Sequence, residues 1–209
     1  MGIKIITPLL SSLLSLYFIG NTPLNAEEKS KKTVQVSIGD FSYVNLIDSS
    51  NEIDYTKASL KFGTELKQFK SKDNIECFLG VSYSKAELTR PTLVNNGYVT
   101  LGEESSYDMF GLDGSFRYNF ERFSDKLIPF CELGAGILYN DIYQNKDQGL
   151  VGQALEFSLM AGTGLTYFIS KDTALDLNFA FEHISNANLA KRNGGLNALG
   201  VSIGLKKNF

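Results

Sequence analysis

From about residue 33 onward, apolar and polar residues alternate in eight stretches, about 33–46, 56–67, 74–87, 106–120, 127–142, 154–168, 173–185 and 197–209. A period of two sends successive side chains to opposite faces of an extended chain, so each stretch predicts a β-strand with one apolar face. The seventh shows it best, with Leu175, Leu177, Phe179 and Phe181 on one side and Ala174, Asp176, Asn178 and Ala180 on the other. The eighth sets Leu199, Val201, Ile203 and Leu205 against Ala198, Gly200, Ser202 and Gly204. The breaks at 68–73, 121–126 and 170–172 are short and charged, whereas those at 89–105, 143–153 and 187–196 are longer. An even strand count with tight turns at one end and long loops at the other predicts an all-β fold: an eight-stranded antiparallel up-and-down transmembrane β-barrel.

The minor face separates a membrane barrel from a water-soluble one. It carries charge at mid-strand, at Lys61, Glu65, Glu76, Asp113, Arg117, Glu132, Glu156 and Asp176, alternating with Gly63, Gly80, Gly114, Gly134, Gly136, Gly162 and Gly164. Eight strands make a barrel narrow enough to be filled by side chains. Small residues beside acids and bases therefore predict a polar, plugged interior and an apolar wall toward lipid. The alternative is a secreted lipocalin-like barrel with the faces inverted.

The ends of the chain agree with export. Lys4, an apolar stretch running from Leu9 to Ile19, and Thr22-Pro23-Leu24-Asn25-Ala26 before charged Glu27 and Glu28 have the form of a secretory signal. Residues 1–26 are expected to be the signal peptide and 27–209 the outer-membrane barrel. Phe209 ends the chain in phase with Leu205 and Val201, similar to the terminal aromatic of bacterial outer-membrane proteins. A net charge of -3 gives no reason to expect nucleic acid as a partner. Cys77 and Cys131 fall on strands that are not neighbours, too far apart to bridge, and read as isolated lipid-facing thiols.

Candidate chemistry lies where the apolar face of the seventh stretch turns polar. Beyond Phe181, the same parity passes through His183 and Ser185, and the eighth stretch enters through Asn197. A hairpin would bring Asn197 near Ser185 across the strands. His183 is the only imidazole in the chain, so a mechanism needing a base that titrates near neutrality must use it. Ser185 would then be the nucleophile, and the third group would orient the ring. The competing reading is that polar side chains sit there because the headgroup zone is wet.

The run Phe181-Glu182-His183-Ile184-Ser185-Asn186, followed by an Asn- and Gly-containing loop to Asn197, resembles the lipid A deacylase family, the outer-membrane 3-O-deacylases of lipopolysaccharide. The resemblance implies an ester hydrolase in the bacterial outer membrane. Its substrate would be lipopolysaccharide, with the site on the lipid-facing exterior of the barrel. With one His and no acidic or His cluster on one outward face, no cofactor or metal is expected, calcium at loop carboxylates such as Glu103 and Glu104 being the open alternative. The resemblance assigns His183 as general base, Ser185 as nucleophile and Asn186 as a donor in the oxyanion hole. The chain departs from the family pattern at the third position, where a Glu is replaced by Asn197. An amide oxygen can hold the imidazole N–H but cannot offset imidazolium charge. Glu182, the nearest carboxylate, points into the barrel by parity. Phe181 and Leu199 would contribute to an acyl-chain wall, and Lys191 and Arg192 would meet the substrate phosphates. Two other readings remain at this point: a non-enzymatic small barrel serving adhesion or envelope integrity, which Asn197 favours, and a phospholipase of the same compartment.

Overall fold

The computed structural model describes residues 31–44, 52–89, 92–94, 97–99, 105–146 and 148–209; the expected signal peptide lies outside them. The strands are β1 (Lys32–Tyr43), β2 (Glu52–Gln68), β3 (Asn74–Thr89), β4 (Thr92–Val94), β5 (Gly97–Val99), β6 (Ser105–Asn119), β7 (Leu127–Asn140), β8 (Leu155–Phe168), β9 (Thr173–Ser185) and β10 (Leu196–Asn208). Eight of them close an antiparallel barrel in the order β1-β2-β3-β6-β7-β8-β9-β10, with β10 pairing back onto β1. β4 and β5 form a separate two-stranded hairpin within the longest loop, which the alternation did not predict. The barrel strands run 12 to 17 residues, longer than the ~9–11 needed to cross a tilted barrel wall.

The faces are those of a membrane barrel. Outward Leu133 and Phe116 keep 66% and 59% of their surface exposed, while Arg117 and Glu132 keep 1% each. A water-soluble lipocalin-like barrel would show the reverse. Gly114 is a correction: it shares the outward parity of Leu112 and Phe116, and at that height the inner face is Gly111, Asp113 and Ser115. Cys77 on β3 and Cys131 on β7 are both free, with β6 between them.

Inside, the acids and bases pair across the lumen. Arg117 donates from Nε and Nη2 to Glu132 at 3.0 and 2.7 Å and from Nη1 to Asp176. Lys61 reaches the other Glu132 oxygen at 2.6 Å, and Lys206 grips Glu76 at 2.7 Å. The lumen is not polar throughout. Phe130 and Phe78 lie 4.0 and 5.0 Å from the Arg117 guanidinium. They fit because a Cβ on Gly164 or Gly63 would stand 2.5 or 2.4 Å from their rings.

At the long-loop end the lumen is closed by an apolar cluster of Phe41, Ile53, Tyr55, Leu88, Met109, Leu138 and Ile184, joined by Leu196. The β7–β8 loop folds inward over it, contributing Ile142, Leu150 and Val151. Burying each such side chain is worth roughly 1.5–3 kcal/mol, enough to hold an otherwise polar loop against the rim. Ile184 and Leu196 tie this plug to the outward-facing residues next to them on β9 and β10.

Candidate active site

β9 presents Phe179, Phe181, His183 and Ser185 in succession on the outer wall, because residues two apart share a face. In the register with β10, Asn197 stands directly opposite His183 and Leu199 opposite Phe181. On the other side β8 sets Leu159 opposite His183 and Phe157 opposite Ser185. The three polar groups form one chain: His183 Nδ1 lies 2.7 Å from Asn197 Oδ1, and His183 Nε2 lies 3.0 Å from Ser185 Oγ. An amide oxygen can only accept, so the ring proton resides on Nδ1 and the Nε2 lone pair faces the serine hydroxyl. Asn197 is buried, whereas His183 and Ser185 are partly open to the outer surface.

The loop between the two strands is built to fit under this chain. Ala187 and Asn188 take positive φ, 51° and 64°, in a tight turn closed by Leu189 N–H donating to the Asn186 carbonyl at 3.0 Å. Asn193 receives the Asn186 backbone N–H at 3.0 Å. Gly195, at φ 75°, passes so close beneath the imidazole that a Cβ there would stand 3.0 Å from His183 Cε1. Gly194 and Gly195 donate their N–H groups to the carbonyls of Gly149 and Leu150 at 3.1 and 3.0 Å, which stitches this loop to the β7–β8 loop.

The geometry places two of the expected residues away from the outer surface. Asn186 is wholly buried on the lumen parity. Its backbone N–H is engaged by Asn193 and its side-chain amide donates to the Arg192 carbonyl at 2.7 Å, so it folds the loop and aims no donor at the surface beside Ser185. Arg192, expected to meet phosphate, turns inward and donates to the carbonyls of Tyr143, Asn145 and Gln148 at 2.7, 2.8 and 3.1 Å. Lys191 remains exposed on the loop. Phe181 and Leu199 lie on the outer wall below His183 and Asn197, continued by Phe179 and Val201. Glu182 points into the lumen, where Lys57 and Tyr55 donate to it at 2.9 and 2.8 Å. Among the described residues no three metal-ligating side chains converge.

Sequence reasoning missed Gln148. It is buried, donates from Nε2 to the carbonyls of Ile142, Asn145 and Val151, and accepts the N–H groups of Leu150 and Val151 on Oε1. The one visible signal was the apolar pair Leu150-Val151 in a polar loop. It also missed β8's share of the wall, Phe157 and Leu159.

The family model described as lipid A 3-O-deacylase (PagL) matches residues 78–206, well over half the chain. Among solved structures, the outer membrane enzyme PagL is similar with a TM-score of 0.56 at 18% identity, over 82% of this chain and 97% of that one. Neisserial surface protein A (NspA) is similar with a TM-score of 0.54 at 14% identity, over 87% of this chain and 100% of that one. An enzyme and a surface protein thus share this barrel, so the fold does not choose between their functions. No curated protein matches the chain.

Proposed function

Because the chain belongs to the lipid A 3-O-deacylase family, we propose that it is an outer-membrane esterase that removes the 3-O-linked acyl chain of lipid A with a serine nucleophile on the lipid-facing exterior of the barrel. The observation that carries this reading is the hydrogen-bonded chain Asn197–His183–Ser185 on the outer wall, beside the long loops.

In the proposed mechanism Ser185 Oγ attacks the ester carbonyl while His183 Nε2 takes its proton. The tetrahedral intermediate collapses by breaking the bond to the sugar 3-oxygen, which receives that proton from His183 and leaves as the free hydroxyl. The acyl group stays on Ser185 as an ester. Water, deprotonated by His183, attacks it, and the fatty acid departs as Ser185 regains its proton. Asn197 holds the ring in the tautomer that leaves Nε2 free, without supplying a charge to balance the imidazolium.

The membrane supplies the rest of the geometry. Lipid A carries its acyl chains beside the wall, so an ester at headgroup depth reaches Ser185 while its chains run down Phe157, Leu159, Phe179, Phe181, Leu199 and Val201. Lys191 is the cation left to meet a phosphate, since Arg192 is engaged by carbonyls.

The test is mass spectrometry of lipid A from a bacterium expressing the full chain. The esterase reading expects loss of one hydroxyacyl chain, abolished in Ser185→Ala and His183→Ala. A folded barrel that leaves lipid A unchanged would favour the second reading, a non-enzymatic barrel, for which the neutral Asn197 speaks. Free fatty acid from glycerophospholipid with lipid A intact would mark a phospholipase.

A further inference from the structure

Arg192 sits in the loop that joins the two strands carrying the trio, and its position next to exposed Lys191 suggests a substrate contact. Its hydrogen bonds point elsewhere. The guanidinium lies among three backbone carbonyls of one loop, those of Tyr143, Asn145 and Gln148. A planar fork with five N–H donors can satisfy such a cluster, whereas a lysine ammonium with three donors on a flexible stem cannot reproduce its geometry. The Arg192 carbonyl in turn accepts from Asn186, the residue next to Ser185. A Cβ at Gly152 would fall 1.9 Å from that carbonyl, so the two loops touch backbone to backbone.

The same two loops are joined at Gly194 to Gly149 and at Gly195 to Leu150, with only Leu196 between Gly195 and Asn197. Gly195 also backs the imidazole. β9 ends at Ser185 and β10 starts at Leu196, so the sheet ladder stops at the height of the trio. Hydrogen bonds among Asn186, Asn188, Leu189 and Asn193 shape the 186–195 backbone from within, and what docks it is its contact with the β7–β8 loop, itself anchored in the apolar plug by Ile142, Leu150 and Val151.

We infer that Arg192 is a positioning residue: it locks the β9–β10 loop onto the β7–β8 loop and so holds Asn197 and His183 at hydrogen-bond distance, rather than binding the phosphates of the substrate. The kinetic part of this inference rests on the esterase reading; the loop clamp itself does not. Losing the fork lets the rim shift by a fraction of an ångström, which lowers turnover more than substrate binding.

The experiment compares purified full-length wild type, Arg192→Lys and Arg192→Gln in detergent–lipid micelles. Kinetics are run on bisphosphorylated lipid A and on the same lipid with its phosphates removed, and hydrogen exchange is read by mass spectrometry. The clamp predicts that both variants lose about tenfold or more in kcat with KM within about twofold, equally on the two substrates. It also predicts faster exchange in 143–153 and 186–197 with the strands below unchanged. A raised KM that Arg192→Lys rescues, and that disappears on the dephosphorylated substrate, would overturn it in favour of a phosphate contact. Unchanged exchange in both loops would overturn it whatever the kinetics. If wild type hydrolyses no lipid, the esterase reading fails while the exchange result still decides the clamp.

Discussion

At position 197 a neutral amide holds the imidazole that an acid holds in the family pattern this chain resembles. The contact to His183 Nδ1, 2.7 Å, is short enough that an isosteric Asp would occupy the same place. A charge-assisted hydrogen bond exceeds a neutral one by roughly 1–2 kcal/mol. Asn197→Asp is therefore predicted to raise kcat about tenfold. Steady-state rates of wild type and variant check it. Asn197→Leu, which removes the acceptor, should lower kcat by about a hundredfold or more, with the barrel's heat-dependent gel shift intact. Gly195→Ala tests the other side of the ring. The positive φ costs an L-residue roughly 1–2 kcal/mol, and the new methyl presses on Cε1, so turnover should fall while urea unfolding changes only modestly. The trio was legible because parity along β9 and β10 needs only the period of two. Asn186 and Arg192 were not, because a loop has no period, and which carbonyls a guanidinium meets depends on a second loop 44 to 49 residues away in the chain.

At the scale of elements, the strand pattern was readable almost to the residue where lipid enforces it. β3, β8 and β9 begin or end within two residues of the alternation's limits, because one misplaced residue would turn a whole apolar face inward. The loops answer to no such constraint, and the β4–β5 hairpin and the inward fold of the β7–β8 loop were not foreseen. That loop is organised around one side chain. Replacing Gln148 by Met keeps its bulk but takes their partner from the N–H groups of Leu150 and Val151 and from the Val151 carbonyl, while the carbonyls of Ile142 and Asn145 keep the Asn145 N–H and Arg192. Each unsatisfied buried group costs roughly 1–3 kcal/mol, more than a local loop can absorb. Gln148→Met is predicted to open the loop without unfolding the barrel, seen as faster tryptic cleavage after Lys146 and lower esterase activity, with strand amide exchange unchanged.

For the whole molecule the question is whether the lumen conducts. From the short-turn end an open bowl of about 520 Å³ leads up between Lys31, Arg122 and Lys171 and stops at the pair formed by Glu76 and Lys206. Above it lies the layer of Arg117, Glu132 and Asp176, then a pocket of only about 50 Å³ beside Lys57 and Asn178, then the apolar plug. Two barriers of different chemistry are therefore in series, an ionic one at mid-height and a hydrophobic one at the rim. Removing Arg117 leaves Glu132 and Asp176 facing each other across the lumen, with Lys61 the remaining cation on Glu132. Breaking a buried pair in this way costs roughly 3–5 kcal/mol, so Arg117→Ala should lower the urea midpoint of the protein in lipid vesicles. It should not create a pore, because Ile53, Tyr55, Leu88, Met109 and Leu138 still seal the far end and are held there by the loop that braces the site. Planar-bilayer recordings are expected to show no steady conductance for wild type or for Arg117→Ala, and channel activity in the single variant would mean that the apolar cluster is not a seal. Conductance should appear only when Arg117→Ala is combined with Leu150→Ser and Val151→Ser, and that triple variant should lose esterase activity as well, since the residues that close the lumen also support the loop beneath His183.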